Sequence, residues 1–497
     1  MTTNSKILEK LDVYITKAME DWKIPGLAIA VVKDDEIIFS EGFGLCELGK
    51  QDPVNEHTIF AIASNTKAFT ATAMGMLVQE KKLAWDDLVI EHLPGFRMYD
   101  PYVTNEITIR DLLCHRSGLQ HLEGELAIYG SIRSREEAVH KLRYIQPTSS
   151  FRSSYGYSDI MFIVAGQIIA TVSGSSWDEF IKNRILVPLS MARSNTSIKG
   201  LMGDKNTATP HQTVNEKISP LPYRNVDTIG PAGSINATAW DMAQWLLFQV
   251  NNGAVEGKQL IEKDFLEETR IPHIPIRMLP FMKNIIPNTH FLSCGLGWKL
   301  LDFHGRFVVR HTGGVDGMSS MVTLLPEEKL GIVVLSNKLP NRFVFALSYH
   351  VMDSYLDIPP KDWNRSFLEL DTELATQEAT RKQREKDDQV KDTHLSLSIQ
   401  EYAGVYRDQL YGDATIEVHD GQLVLLLSTH PNISGYLEHW HYDTFMCQWT
   451  DPMFDQSLMP FILDGQGKVE KFRLKVREEV LDPHGYEFYK VSGDTTI

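Results

Sequence analysis

Basic side chains are in short supply: 49 lysines and arginines against 65 aspartates and glutamates leave a formal net charge of −16 and a pI near 5.5. That balance excludes the basic surface needed to hold nucleic acid or to ride on an anionic membrane. Cysteine is scarcer still. Cys46, Cys114, Cys294 and Cys447 are scattered and form no C-x-x-C or Cys/His cluster, so neither a disulfide framework nor a zinc site is expected, and the four read as buried free thiols in a reducing compartment. No metal or other cofactor is implied. No run approaches the length of a membrane span, and residues 1–21 lack a basic segment followed by an apolar core. The expected location is therefore cytoplasmic. Ile7, Leu8, Leu11, Ile15, Ala18 and Met19 recur instead at helical spacing among charges, an amphipathic first helix.

What is present is ample apolar material. A chain of 497 residues, 43% hydrophobic and 23% charged, is too long for one ordinary domain and divides into two or three with large cores. Leu27 to Val32 and Glu36 to Ser40, split by Lys33-Asp34-Asp35, read as a β-hairpin. Helical patterning dominates from about 83 to 250. Strand signals return at 297–301, 307–311, 321–325 and 331–335, with a helix from about Arg342 to Leu356. The early hairpin and this late meander are expected to share one antiparallel sheet, with the helical stretch inserted between them. From Ser366 to Lys391 few apolar residues occur, which describes a solvated helical linker. Beyond it, Tyr402 to Tyr406, Thr415 to Val418, Leu423 to Leu427, Val469 to Leu474 and Tyr486 to Val491 read as strands of a small barrel or sandwich. The division expected is 1–362, a linker at 363–394, and 395–497.

Three short stretches carry chemistry. Ala63-Ser64-Asn65-Thr66-Lys67 opens a helical run, and Ser-x-x-Lys spacing sets both side chains one turn apart on one face. A serine hydroxyl needs a base, and a lysine amine serves as one when burial and the helix dipole lower its pKa. About two such motifs are expected by chance in a chain of this length, and an N-capping serine beside a solvated lysine would look the same. This is the only occurrence. Tyr157, in Tyr155-Gly156-Tyr157-Ser158-Asp159, precedes a helix and could move protons if nearby cations lower its pKa; an ordinary half-buried tyrosine fits equally. His311-Thr312-Gly313-Gly314 ends a strand, where glycines let backbone approach a ligand or simply make a turn.

Taken together, Ser64-x-x-Lys67, Tyr157-Ser158-Asp159 and His311-Thr312-Gly313 resemble the three signature elements of the class C β-lactamase and penicillin-binding-protein superfamily. Leu112 to Leu119, Gly230-Pro231-Ala232-Gly233-Ser234 and Gly295-Leu296-Gly297-Trp298 resemble it too. The resemblance spans roughly residues 5–355. It implies an α+β fold, an antiparallel sheet flanked by helices with an inserted helical domain, and it implies acyl transfer: Ser64 as nucleophile, Lys67 and Tyr157 sharing proton work, and the N–H groups of Ser64 and Gly314 as oxyanion hole. Asp159, His311, Thr312 and Gly313 would contact substrate. The tail, with Gly412, Gly421-Gln422-Leu423 and Leu437 to His441, resembles the lipocalin-like β-barrel some of these hydrolases carry.

Two positions depart from the pattern. His311 stands where β-lactamases of this kind carry lysine, and a histidine is largely neutral at pH 7. Asp159 stands where asparagine is usual; an ionised carboxylate only accepts hydrogen bonds. Both changes weaken recognition of an anionic lactam, and a free Asp159 would favour a substrate bearing an ammonium or hydroxyl. The expectation is an esterase, or an amidase or peptidase of the D-aminopeptidase kind, on small-molecule or short-peptide substrates. A β-lactamase or DD-peptidase, and a catalytically idle scaffold, are the alternatives. The sequence leaves a homo-oligomer open.

Overall fold

The computed structural model describes residues 10–214, 216–476 and 485–491. Helix α1 (Leu11–Trp22) turns Leu11, Ile15, Ala18, Met19 and Trp22 inward; the part of the amphipathic pattern before residue 10 lies outside the described residues. It leads into β1 (Gly26–Lys33) and β2 (Glu36–Gly44). These form one edge of an eight-stranded sheet. Its other strands are β3 (Ile274–Pro275), β4 (Leu292–Cys294), β5 (Lys299–Phe303), β6 (Arg306–Val315), β7 (Met318–Leu325) and β8 (Leu330–Ser336), in spatial order β2-β1-β8-β7-β6-β5-β4-β3, and every pair is antiparallel. As expected, the early hairpin and late meander share the sheet, through β1 and β8, with Leu27 opposite Ser336.

Alternation along β1 decides what packs where. Leu27, Ile29 and Val31 join Ile332 and Val334 under α1 and the helix α5 (Phe343–Tyr355). Ala28, Ala30 and Val32 face the other way, and their small side chains admit α4 (Ala239–Val250), which crosses β1 and β8. On that side also lie α2 (Thr66–Gln79), almost wholly buried, and α3 (Asp159–Ser173), buried along all but its last turn, with Phe69 stacked on Trp245 at 3.7 Å between ring centres. Among the described residues the regular structure in the middle of the chain is mainly helical; a small ribbon, His211–Val214 with Lys217–Pro220, and a short pairing of Asn236–Ala237 with Phe60–Ala61 are additions that periodicity did not reveal. Among the described residues no single helix is long and apolar enough to cross a membrane.

The stretch expected to be a solvated linker is the helix α6 (Trp363–Asp387), but its first turns are not solvated. Trp363, Phe367 and Leu370 are buried, with Trp363 stacked on Tyr349 of α5 at 4.6 Å. Sparse apolar residues suffice because all three fall on one face.

After α6 the chain closes an eight-stranded barrel, β9 (Gly404–Asp408), β10 (Gly412–His419), β11 (Gln422–Leu427), β12 (Ser434–His441), β13 (Thr444–Trp449), β14 (Gln456–Leu463), β15 (Val469–Leu474) and β16 (Tyr486–Lys490), each paired to the next and β16 to β9. Five of these strands are signalled by sequence. The other three are β12, which carries the polar run Glu438, His439 and His441, β13, and β14, which has Pro460 in its middle, a residue that ordinarily argues against a strand.

Candidate active site

The sequence places Ser64 at a helix start; the structure puts it one turn earlier, in a single 3₁₀ turn, Ala63–Asn65, that runs directly into α2. Ala63 holds φ +48°, a left-handed conformation that a non-glycine residue adopts only when its surroundings impose it. Those surroundings are identifiable. Ser320 of β7 donates to the Ile62 carbonyl at 2.7 Å and accepts from Asn65 Nδ2 at 2.8 Å, clamping both sides of Ser64. Gly313, opposite Ser320 in the sheet, lies against the same carbonyl, where a Cβ would collide with it. The strand bearing His311, Thr312 and Gly313 is thus brought against the Ser64 turn, with Gly314 at its exposed end.

Lys67 is fully buried, and its Nζ donates to Ser64 Oγ at 3.1 Å and to the Ala232 carbonyl at 3.0 Å. That carbonyl comes from the short helix Gly230–Gly233, whose Pro231 carbonyl also takes the Thr70 hydroxyl at 2.7 Å. Nζ stands 4.7 Å above the centre of the Tyr157 ring. Burial pushes the Lys67 ammonium below its ordinary value even against the opposing pull of Asp159.

The serine, the amine and the phenol do meet. Tyr157 stands beside the pair, its ring under Lys67 Nζ and its phenol close enough to Ser64 for the serine to favour ionisation. Its protonation differs from the sequence expectation: burial, then the Asp159 carboxylate, hold the phenol well above its usual value, so no cation lowers it. Asp159 explains why. It is not free to face a ligand, since Oδ1 lies 2.6 Å from Lys67 Nζ, and it cancels the charge that would otherwise act on Tyr157. The inference that Asp159 would receive a substrate ammonium is corrected on the same ground.

The loop carrying Tyr157 is held from behind. Nδ1 of His115 accepts the Ser158 N–H at 3.1 Å and its carbonyl accepts the Gly156 N–H at 2.9 Å, and buried Asp111 takes Arg116 at 2.5 Å and Arg152 at 2.7 Å. His311 is buried, its Nδ1 2.6 Å from the Thr312 carbonyl. Desolvation, then Lys299 and Lys67, depress its pKa well below normal, so the imidazole is neutral. Lys299, whose Nζ is 5.9 Å from the Tyr157 ring centre, is a second cation close to the site.

Sequence reasoning missed the clamp residues Asn65 and Ser320, the brace His115, and Lys299. His115 and Ala232 lie inside stretches already noted for resemblance, whereas a serine inside a β-strand, such as Ser320, carries no signal.

Comparison with known proteins agrees with this fold. A family model described as beta-lactamase matches residues 11–355, and one described as a domain of unknown function (DUF3471) matches 388–488. The chain is 28% identical over 383 residues to the unguisins hydrolase ungD of Aspergillus violaceofuscus, covering 72% of this chain and 66% of that protein. It is 26% identical over 351 residues to the protein flp of Staphylococcus aureus strain NCTC 8325 / PS 47, covering 69% and 65%. The chain therefore spans just under two thirds of the length of these relatives. Among solved structures, the octameric penicillin-binding protein homologue from Pyrococcus abyssi superposes with a TM-score of 0.64 at 22% identity, over 97% of this chain and 100% of that one. SurE superposes with a TM-score of 0.56 at 17% identity, over 98% and 100%. With the family match covering well over half its length, the chain belongs to the beta-lactamase family.

Proposed function

We propose that this protein is a serine hydrolase that works through an acyl-Ser64 intermediate on small ester or amide substrates, of the esterase or D-amino-acid amidase and peptidase type. The hydrolytic domain would be 1–362, joined by 363–394 to the barrel at 395–497. The observation that carries the reading is the buried Lys67 amine, 3.1 Å from Ser64 Oγ with its pKa pushed down by desolvation. In this assignment neutral Lys67 takes the Ser64 proton as Oγ attacks the carbonyl. Tyr157, which its surroundings keep protonated, donates to the leaving group and regains a proton from the Lys67 ammonium. The Ser64 and Gly314 N–H groups receive the oxyanion. Thr312 and His311 line the substrate side, and water releases the acid.

The names of similar proteins support a hydrolase and a D-amino-acid ligand: a relative is an unguisins hydrolase, and one SurE structure holds D-Leu. A lactamase or DD-peptidase is the weaker reading, because burial leaves His311 without the permanent charge of a lysine. Four buried free cysteines accord with a cytoplasmic setting.

Labelling of the protein by a fluorophosphonate probe, lost in Ser64→Ala with the fold retained, tests the nucleophile. Steady-state rates on p-nitrophenyl esters, D-amino-acid anilides and nitrocefin test the substrate class; efficient nitrocefin turnover would put lactams ahead of esters and amides.

A further inference from the structure

The barrel has little room for a ligand. Tyr406, Phe445, Phe461, Phe472 and Phe488 fill its interior, with ring centres 4.9 Å apart for Tyr406 and Phe472, 4.9 Å for Phe472 and Phe488, and 5.4 Å for Phe445 and Phe461. An interior packed with side chains is a core, not a pocket. What the barrel offers is therefore on its outside, and one rim is pressed against the hydrolytic domain.

At that rim a cation sits between two acids from different parts of the chain. Arg224 reaches Asp316 Oδ2 at 2.5 Å and, through Nη2, Asp451 Oδ2 at 2.6 Å. Asp451 belongs to the barrel, in the connection between β13 and β14. Asp316 begins the turn joining β6 to β7, two residues beyond Gly314. Its other oxygen accepts the Tyr129 hydroxyl at 2.6 Å, and its own N–H donates back to that hydroxyl at 3.3 Å. Tyr129 is held in turn from the barrel, because its carbonyl lies 2.9 Å from Nε2 of buried His430. Asp316 is almost sealed from solvent and Arg224 nearly so, so each contact acts at low local dielectric, and charge-assisted bonds there fix geometry strongly.

We propose that the barrel sets the geometry of the hydrolytic site, with Arg224 as the positioning residue. Asp451 orients Arg224, Arg224 and Tyr129 together hold Asp316, and Asp316 fixes the turn that determines where the Gly314 N–H stands relative to Ser64. The inference rests on the acyl-serine reading above. An oxyanion donor works only when held at the position the oxyanion will occupy, so a small drift of this turn lowers the chemical step without removing substrate contacts.

Asp451→Asn in the full-length protein is the informative change. It keeps a side-chain oxygen for the 2.9 Å bond that Asp451 makes to the Met453 N–H, and it leaves the Arg224–Asp316 pair intact. With p-nitrophenyl acetate, kcat falls roughly tenfold while KM stays within about twofold, because coupled charge networks transmit effects of that size. The rate of fluorophosphonate labelling falls in parallel, and the melting temperature barely moves. Tyr129→Phe, which leaves both charges in place, lowers kcat in the same sense and combines with Asp451→Asn less than additively. It decides the question by itself if Asp451→Asn does not fold. Wild-type protein that is never labelled would overturn the hydrolase reading and this inference together. Labelled wild type, with both variants at wild-type kcat, would overturn this inference alone.

Discussion

Asp159 Oδ1 lies 2.6 Å from Lys67 Nζ, an ion pair sealed inside the site, with the Lys67 side chain fully buried and that of Asp159 9% exposed. The pair changes the acid-base logic of the motif. A carboxylate this close favours the ammonium form of Lys67 and opposes ionisation of Tyr157, so in the proposed mechanism the amine must lose its proton before it can accept one from Ser64.

Asp159→Asn removes that carboxylate and restores a neutral amide. Both Lys67 and Tyr157 then titrate at lower pH, since Asp159 raises each of them. The acid limb of kcat/KM for a p-nitrophenyl ester is expected to move to lower pH. An unchanged limb in a folded variant would show that the Lys67–Asp159 pair does not govern the base.

Gly313 and Gly314 make opposite predictions although they are neighbours. A Cβ on Gly313 would collide with the Ile62 carbonyl and Ser320 Oγ, both part of the clamp around Ser64, whereas a Cβ on Gly314 meets only the flexible Leu339 side chain at 3.7 Å. Gly313→Ala is expected to cost at least about a hundredfold in kcat, comparable to loss of an oxyanion donor, along with some stability. Gly314→Ala should keep kcat within a few-fold, because in the proposed mechanism the N–H, and not the side chain, receives the oxyanion. Equal losses in the two variants would count against the clamp.

Ser320→Ala isolates the clamp chemically. It leaves the Ile62 carbonyl without its 2.7 Å donor and Asn65 Nδ2 without its 2.8 Å acceptor, both in a buried setting. Unfolding in urea should show a loss of about 1–3 kcal/mol, and fluorophosphonate labelling should slow because the strained turn at Ala63 loses the contacts that impose it.

Much of this was legible in the sequence, and for physical reasons. The hairpin and meander announce themselves because two-residue alternation and short polar turns are local properties, and the helix at Phe343–Tyr355 follows its apolar period within a residue or two. Ser64 and Lys67 meet as the motif spacing implies, although Ser64 sits in the turn just ahead of the helix, and the Tyr157 ring packs beneath Lys67. What could not be read was partnership across the chain. Nothing near residue 159 says that its carboxylate will be consumed by Lys67, and nothing near residue 451 says that it will face Arg224. Strands β12 to β14 were hidden because barrel closure supplies partners that override weak local propensity, even tolerating Pro460.

Acid should loosen the seam between the barrel and the sheet-bearing domain through His430. Its Nδ1 is 2.6 Å from the Tyr411 hydroxyl and its Nε2 2.9 Å from the Tyr129 carbonyl, so the neutral ring donates through Nε2 and accepts at Nδ1. Burial drives its pKa from 6.5 down to about 4. A base whose folded pKa is depressed is protonated first in the unfolded chain, so stability is complete above about pH 6.5 and is lost as pH falls toward 4. The gap corresponds to an upper limit on the order of 3 kcal/mol. His115, His273 and His311 are depressed as well and steepen the same fall, so the contribution of His430 is read by difference. His430→Gln, which retains a donor and an acceptor but does not titrate, should be less stable than wild type at pH 7.5 and lose less stability between pH 7.5 and 4.5 in calorimetry. Parallel pH profiles for the two proteins would mean that the ring is not held neutral at the seam.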